Sequence, residues 1–274
     1  MSAPLDVAGT RELARRVRRQ AVMMVHRVDA SHIGTCLSMA DLLAVLYGAV
    51  LRVDPNDPDA ADRDRFVLSK GHGAAAMYAV LAERGFFPVE ELEQYCVDGG
   101  RLTGHVHHTV PGVDWSTGGL GHGLSLAVGT ALAGRGAFRS FALLSDGECD
   151  EGSIWEAALF AGHHRLDNLV AIVDYNKIQS FGSVAAVLDL EPFADKWRAF
   201  GWHVEELDGH DHAALHDRLA RLPFAEGRPS LLLAHTTKGK GVDFMENELA
   251  WHYRSPQGDL LPRALAQLEP GDDA

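Results

Sequence analysis

The sequence predicts an α/β fold, a three-layer arrangement in which a parallel sheet carries helices on both faces. Three observations point there. Short, nearly continuous apolar runs alternate with longer segments of helical periodicity, as expected when parallel strands are covered on both sides. Glycine-rich and acidic clusters directly follow the apolar runs, where ligands bind in open parallel sheets. The 274 residues are 46% hydrophobic, enough for a substantial core, and neither a Pro/Ser-rich linker nor an internal repeat divides them. One domain over residues 1–274 is therefore expected.

An amphipathic helix opens the order, over about residues 9–30, where Leu13, Val17, Met24, Val25 and Val28 recur at helical spacing. Arg11, Arg15, Arg16, Arg18 and Arg19 read as its solvated face. Leu37–Val50 reads as a helix, and Phe66–Ser69 as the first strand, followed by SKGHG. Helices over Ala74–Arg84 and Leu124–Arg135 come next, the second preceded by STGGLGHG (Ser116–Gly123). The strand Ser140–Asp146 ends in SDG. Ser153–His163 is a helix apolar on almost every face, which implies burial on all sides and so a partner subunit. The strand Leu169–Tyr175 closes in DYNKI. Glu191–Phe200, Trp202–Leu207 and His212–Leu222 continue as helix, strand and helix, and Ser230–His235 is a last strand running into HTTKGKG. The tail, 262–274, looks peripheral.

Net charge is −13, which argues against a nucleic-acid footprint or a general affinity for anionic membranes. Cys36, Cys96 and Cys149 are widely spaced and form no metal motif, a set suited to a reducing compartment. There is no signal-peptide pattern and no run near the ~18 apolar residues that span a bilayer, so a cytoplasmic protein is expected.

The chemistry concentrates where strands end. Asp146 can supply a carboxylate oxygen and Asn176 an amide oxygen. Magnesium is typically held by one or two carboxylates together with substrate phosphates. Gly147 can present its N–H to a phosphate with no β-carbon in the way. Asp146-Gly147 alone is no more than a turn; the strand–helix–strand passage leading to Asn176 favours a site. Fifteen histidines are many for this length, and His32 (ASHIG), His72 (KGHG), His105 (TGHV) and His252 (LAWHY) are the notable ones. Imidazoles near neutral pKa can donate to phosphate or exchange protons with hydroxyls. His107, His108, His163 and His164 read as surface residues. The STGGLGHG loop is either a phosphate cradle or a tight turn for helix packing.

The SDG segment and the distant asparagine resemble the thiamine-diphosphate fingerprint, and the surrounding residues resemble the N-terminal, diphosphate-binding half of transketolase. The likeness covers nearly the whole chain. It implies the thiamine-diphosphate-binding fold, with Asp146 and Asn176 as metal ligands and Ile178 lending a backbone carbonyl to Mg2+ or another divalent cation such as Ca2+. Gly147 would contact the diphosphate. His32 matches the substrate histidine of SGHPG, with isoleucine here in place of proline. His72 matches a diphosphate histidine, His105 a substrate-facing one, and His252 one near both. Gly118, Gly119 and Leu120 match the cofactor contacts of TGPLGQG. Glu151 matches a glutamate at the cofactor-proximal dimer interface, although a first-turn glutamate favoured by the helix dipole reads equally well. Ser145 departs from the first glycine of the fingerprint, which questions the local backbone shape.

In that family the glutamate that activates the aminopyrimidine lies in a separate pyrimidine-binding domain. The resemblance therefore implies the N-terminal subunit of a split transketolase, completed by a C-terminal subunit in a two-plus-two assembly and transferring a two-carbon ketol unit from a ketose to an aldose. Two alternatives stay open: a divergent subunit of specialised or sulfo-sugar metabolism, and a non-catalytic cofactor-binding scaffold.

Overall fold

The computed structural model describes residues 3–269. Five strands form the sheet: β1 (Arg65–Leu68), β2 (Ser140–Ser145), β3 (Leu169–Tyr175), β4 (His203–Asp208) and β5 (Ser230–His235). All are parallel, in the order β1-β2-β3-β5-β4. Their register is strict, with Phe141 beside Val170 and Ile172 beside Leu232. The apolar runs are continuous because alternate residues enter different cores. Phe141, Leu143, Val170, Ile172 and Leu232 point into one, and Ala142, Leu144, Ala171, Val173, Leu231 and Leu233 into the other.

The helices, in chain order, are α1 (Val7–Arg27), α2 (Ile33–Ser38), α3 (Ala40–Val45), α4 (Ala74–Glu83), α5 (Gly123–Ala133), α6 (Gly152–His163), α7 (Val184–Val187), α8 (Phe193–Ala199), α9 (His212–Leu219) and α10 (Leu260–Gln267). The first four, with α9 and α10, cover one face of the sheet; α5, α6 and α8 cover the other. This is the layered α/β architecture the sequence predicts.

Several details differ from the sequence reading. The expected helix Leu37–Val50 is two short helices meeting at Met39, and the second ends in a π turn, Leu46–Val50. Gly48 in that turn packs so closely on α1 that a β-carbon there would lie 2.9 Å from the Thr10 methyl. The expected helix Glu191–Phe200 begins only at Phe193, because Pro192 holds the chain extended before it. Arg18 is not on a solvated face: it is buried, forks onto the Asp41 carboxylate (2.9 Å to Oδ1) and reaches the Leu37 carbonyl. It follows Ala14 and Val17 on the inner side of α1, where a buried carboxylate on α3 meets it. The stretch from 262, read as peripheral, includes most of α10, whose Ala264 is buried with Leu268 in the α1 core; residues 270–274 lie outside the described residues.

Burial of α6 on all sides is not met within the chain. Ile154, Ala157, Ala158 and Ala161 face the core, but Leu159 is 56% and Phe160 42% exposed. Leu132 on the neighbouring α5 is 43% exposed. One chain supplies packing for only one side of these helices.

Candidate cofactor and active site

The carboxyl ends of β1, β2, β3 and β5 converge on a cavity of about 250 Å³. Ten candidate site residues line it: His32, His72, His105, Gly118, Leu120, Asp146, Gly147, Asn176, Ile178 and His252, together with Ser145, the departure from the fingerprint. Gly119 lies between two lining residues without lining the cavity itself. Glu151 is outside it, exposed at the start of α6.

Each lining residue has a local reason for its place. β2 ends at Ser145, and the chain turns at once through Asp146 and Gly147 into a 3-10 turn, Gly147–Asp150. Asp146 accepts from the Gly147 amide at 2.7 Å and the Lys177 amide at 2.6 Å, which joins the ends of β2 and β3. Gly147 is close to the loop after β3, since a β-carbon on it would lie 2.9 Å from Gln179 Cγ. Asn176 Oδ1 accepts from the Ile178 amide at 3.1 Å. His32 sits in the left-handed region (φ 75°) before α2, and its amide donates to the His252 carbonyl at 2.8 Å.

The four histidines form a cluster. Ring centroids of His32 are 4.9 Å from His72, 5.1 Å from His252 and 6.2 Å from His105. Burial, then the His105 and Lys238 charges, pushes His32 down to about 4. Burial and Lys238 push His252 to about 3, and burial holds His72 well below the ordinary histidine value. At neutral pH these three rings are therefore neutral and offer one donor and one acceptor each. Burial, reinforced by the nearby Asp174 charge, raises Asp146 to about 6.

The sequence reading assigned no role to Lys238, Thr35, Gln179 and Ser180, which also line the cavity. Lys238 is buried, and its Nζ donates to the Ile178 carbonyl at 2.8 Å and lies 3.1 Å from His252 Nδ1. Burial lowers it to about 8, still largely cationic at pH 7. Its signal was the post-strand segment HTTKGKG, noted for position only. Lys70 of SKGHG is fully buried and pairs with Asp174, which Ser38 and Thr236 also donate to. Lys70 Nζ also donates to Thr35 of the cavity lining at 2.9 Å, and Asp174 stands two residues before Asn176.

The donor set suits a divalent cation shared with a phosphate ligand. Asp146, the Asn176 amide oxygen and the Ile178 carbonyl are hard oxygen donors, but too few alone for octahedral magnesium. Among the described residues no group of three or more His, Cys, Asp or Glu side chains could hold a metal unaided. Lys238, a buried cation beside these oxygens, is the charge complementary to an anionic ligand.

Comparison with known proteins identifies the family. Residues 10–259 match the family described as transketolase, thiamine diphosphate binding domain. The 6-deoxy-6-sulfo-D-fructose transketolase subunit of Clostridium sp. (strain MSTE9) is 43% identical, covering 92% of this chain and 94% of the relative. An apulose-4-phosphate transketolase subunit from Phocaeicola vulgatus is 40% identical, covering 92% and 90%. The crystal structure of Campylobacter jejuni transketolase superposes with a TM-score of 0.90 at 29% identity, over 96% of this chain but 43% of that one. The chain thus spans about two-fifths of single-chain transketolases and nearly the full length of the subunit-type relatives. It belongs to the transketolase family, as a chain of its thiamine diphosphate binding domain.

Proposed function

We propose that this chain is the N-terminal subunit of a two-component transketolase that moves a two-carbon ketol unit from a ketose to an aldose. The observation that carries the reading is the single cavity in which Asp146, Asn176 and the Ile178 carbonyl face Lys238 and four histidines. When bound, thiamine diphosphate supplies the carbon nucleophile and electron sink for ketol transfer. This chain's part is to hold it and to serve the substrate.

Asp146, Asn176 and the Ile178 carbonyl would hold Mg2+ or Ca2+ against the diphosphate. Gly147, His72 and Lys238 would donate to its oxygens. Gly118, Gly119 and Leu120 would support the ring system. His32, His105 and His252 would meet the sugar hydroxyls. His32 and His252 are neutral at pH 7, so each ring can both donate to and accept from a sugar hydroxyl.

The partner would be a C-terminal transketolase subunit carrying the pyrimidine-binding domain, in a two-plus-two assembly. The exposed Leu132, Leu159 and Phe160, with Glu151 at the head of α6, fit a covered face there. The three free cysteines are in keeping with a cytoplasmic setting, and among the described residues no helix is long and apolar enough to cross a membrane. A second reading, service in specialised sugar metabolism, is favoured by relatives named for 6-deoxy-6-sulfo-D-fructose and apulose-4-phosphate. Both names denote ketoses with an anionic tail.

The test is reconstitution. With thiamine diphosphate, magnesium and a panel of phosphorylated and sulfonated ketoses, this chain alone should give no ketol transfer, and adding the C-terminal subunit should restore it. Robust turnover by the lone chain would overturn the two-component reading.

A further inference from the structure

Ser145 stands where the thiamine-diphosphate fingerprint has a glycine, and three residues later comes Glu148, a fully buried carboxylate that the proposed chemistry does not use. The two belong together. The Glu148 amide donates to Ser145 Oγ at 3.2 Å, and Glu148 Oε2 accepts from the Ser145 amide at 3.4 Å. These reciprocal bonds have the S-x-x-E pattern of a capping box, set one residue ahead of the 3-10 turn, whose N-cap is Asp146. Asp146 and Gly147 lie inside the box.

The other carboxylate oxygen reaches outward. Glu148 Oε1 accepts from the Gly121 amide at 2.8 Å and from the Ser69 hydroxyl at the end of β1. Gly121 directly follows Leu120 in the cavity-lining loop. It has φ 85°, and its carbonyl accepts from Ser153 Oγ at 2.9 Å. A β-carbon at Gly121 would come within 2.5 Å of that hydroxyl oxygen and 2.8 Å of Glu151 Cβ. The glycine loop is thus held at both ends of one residue by the segment that follows β2.

We propose that Glu148 is a positioning residue: its buried carboxylate fixes the spacing between the Asp146–Gly147 turn and the Gly118–Gly121 loop, with Ser145 as its partner in the turn. The inference rests on the cofactor reading, in which those two segments grip opposite parts of one ligand. A carboxylate is suited to this, because it accepts from several donors at once and binds each more strongly than a neutral oxygen would. Burying it is costly unless those donors are present. The spacing is therefore enforced by the penalty of leaving the carboxylate unsatisfied. The serine, which departs from the fingerprint, is accounted for as the acceptor that the Glu148 amide uses.

The experiment measures thiamine diphosphate affinity of the assembled enzyme by calorimetry at fixed magnesium, with amide exchange followed in the peptide covering 118–124. Glu148→Ala should weaken affinity about tenfold, equivalent to about 1.4 kcal/mol, and speed exchange in that peptide. Glu148→Gln keeps an acceptor for Gly121 and should recover most of both. If the alanine variant does not fold, Glu148→Asp, too short to reach Gly121 and Ser145 together, carries the same expectation. Affinity and exchange unchanged in Ala or Asp, or a Gln variant as impaired as Ala, would overturn the proposal. Asp146→Ala run alongside separates the two claims. No loss there would remove the cofactor reading; a loss there without one at Glu148 would remove only the positioning role.

Discussion

Replacing Asp146 by asparagine should stabilise the cofactor-free chain at pH 8. Asp146 is 2% exposed, and burial, with the Asp174 charge nearby, raises its carboxyl to about 6 from an ordinary 3.8. The folded value lies above the unfolded one, so this group's contribution is fully present below about pH 4 and is lost as pH rises through about 6. A difference of roughly two pKa units, at about 1.4 kcal/mol each, makes the ionised carboxylate cost about 3 kcal/mol at pH 8. Asparagine removes that charge but can accept only one of the two amide bonds, from Gly147 and Lys177, that Asp146 accepts. One lost acceptor costs about 1 kcal/mol. A net gain of about 2 kcal/mol corresponds to a rise in melting temperature of about 5 °C. The assay is thermal melting of parent and variant in chelator, without cofactor, at pH 8 and pH 4.5. Histidine titrations common to both proteins cancel in the difference, which reads Asp146 together with its attraction for the Lys238 charge. The gain should vanish at pH 4.5. A variant melting at or below the parent at pH 8, or a gain independent of pH, would refute the reasoning.

His32→Ala should lower turnover of the assembled enzyme by a factor on the order of 10²–10⁴, as for a lost acid–base group, with thiamine diphosphate affinity close to parental by calorimetry; a variant that fails to bind cofactor would contradict its substrate-facing role. The depressed values of His32 and His252, about 4 and about 3, mean that their contribution is present above the ordinary histidine pKa and lost as pH falls through the folded values. The histidine contribution therefore falls from pH 7 toward pH 4 while that of Asp146 rises, and His252→Gln should lose less stability than the parent over that range in melting scans of the cofactor-free chain. Phe160→Asp puts a charge on the exposed face of α6 and should leave the chain folded by circular dichroism while blocking assembly with the C-terminal subunit in sedimentation.

β1, β2, β3 and β5 were legible because each is an apolar run closed by a glycine, an acid or a polar cluster, and parallel strands covered on both faces read that way; β4 (HVEELD), half exposed at the sheet edge, lacks that pattern. The residues after β1, β2, β3 and β5 were legible as a group for the same reason. Spacing could not show that His32, before α2, meets His252, far along the chain, because that contact depends on the loop after β5 folding back over Gly34. There the Gly239 amide bonds the Gly34 carbonyl. Lys238 was missed because a lysine in a glycine-rich loop ordinarily reads as exposed, and only the fold buries it. Arg18 was misread because helical periodicity assigns a residue to a face but does not say which charge awaits it across the interface; Asp41 does so here. The break at Met39 and the late start of α8 are local backbone effects that a hydrophobic pattern passes over.

The central claim is that Asp146, with Asn176 and the Ile178 carbonyl, holds a divalent cation against the diphosphate of the cofactor. Its most direct measurement is a calorimetric titration of thiamine diphosphate into the assembled enzyme at fixed magnesium, for parent and Asp146→Ala. The account predicts that the variant loses most of its affinity, because the diphosphate would lose the cation proposed to tie it to the protein. Equal affinities in the two proteins would contradict it.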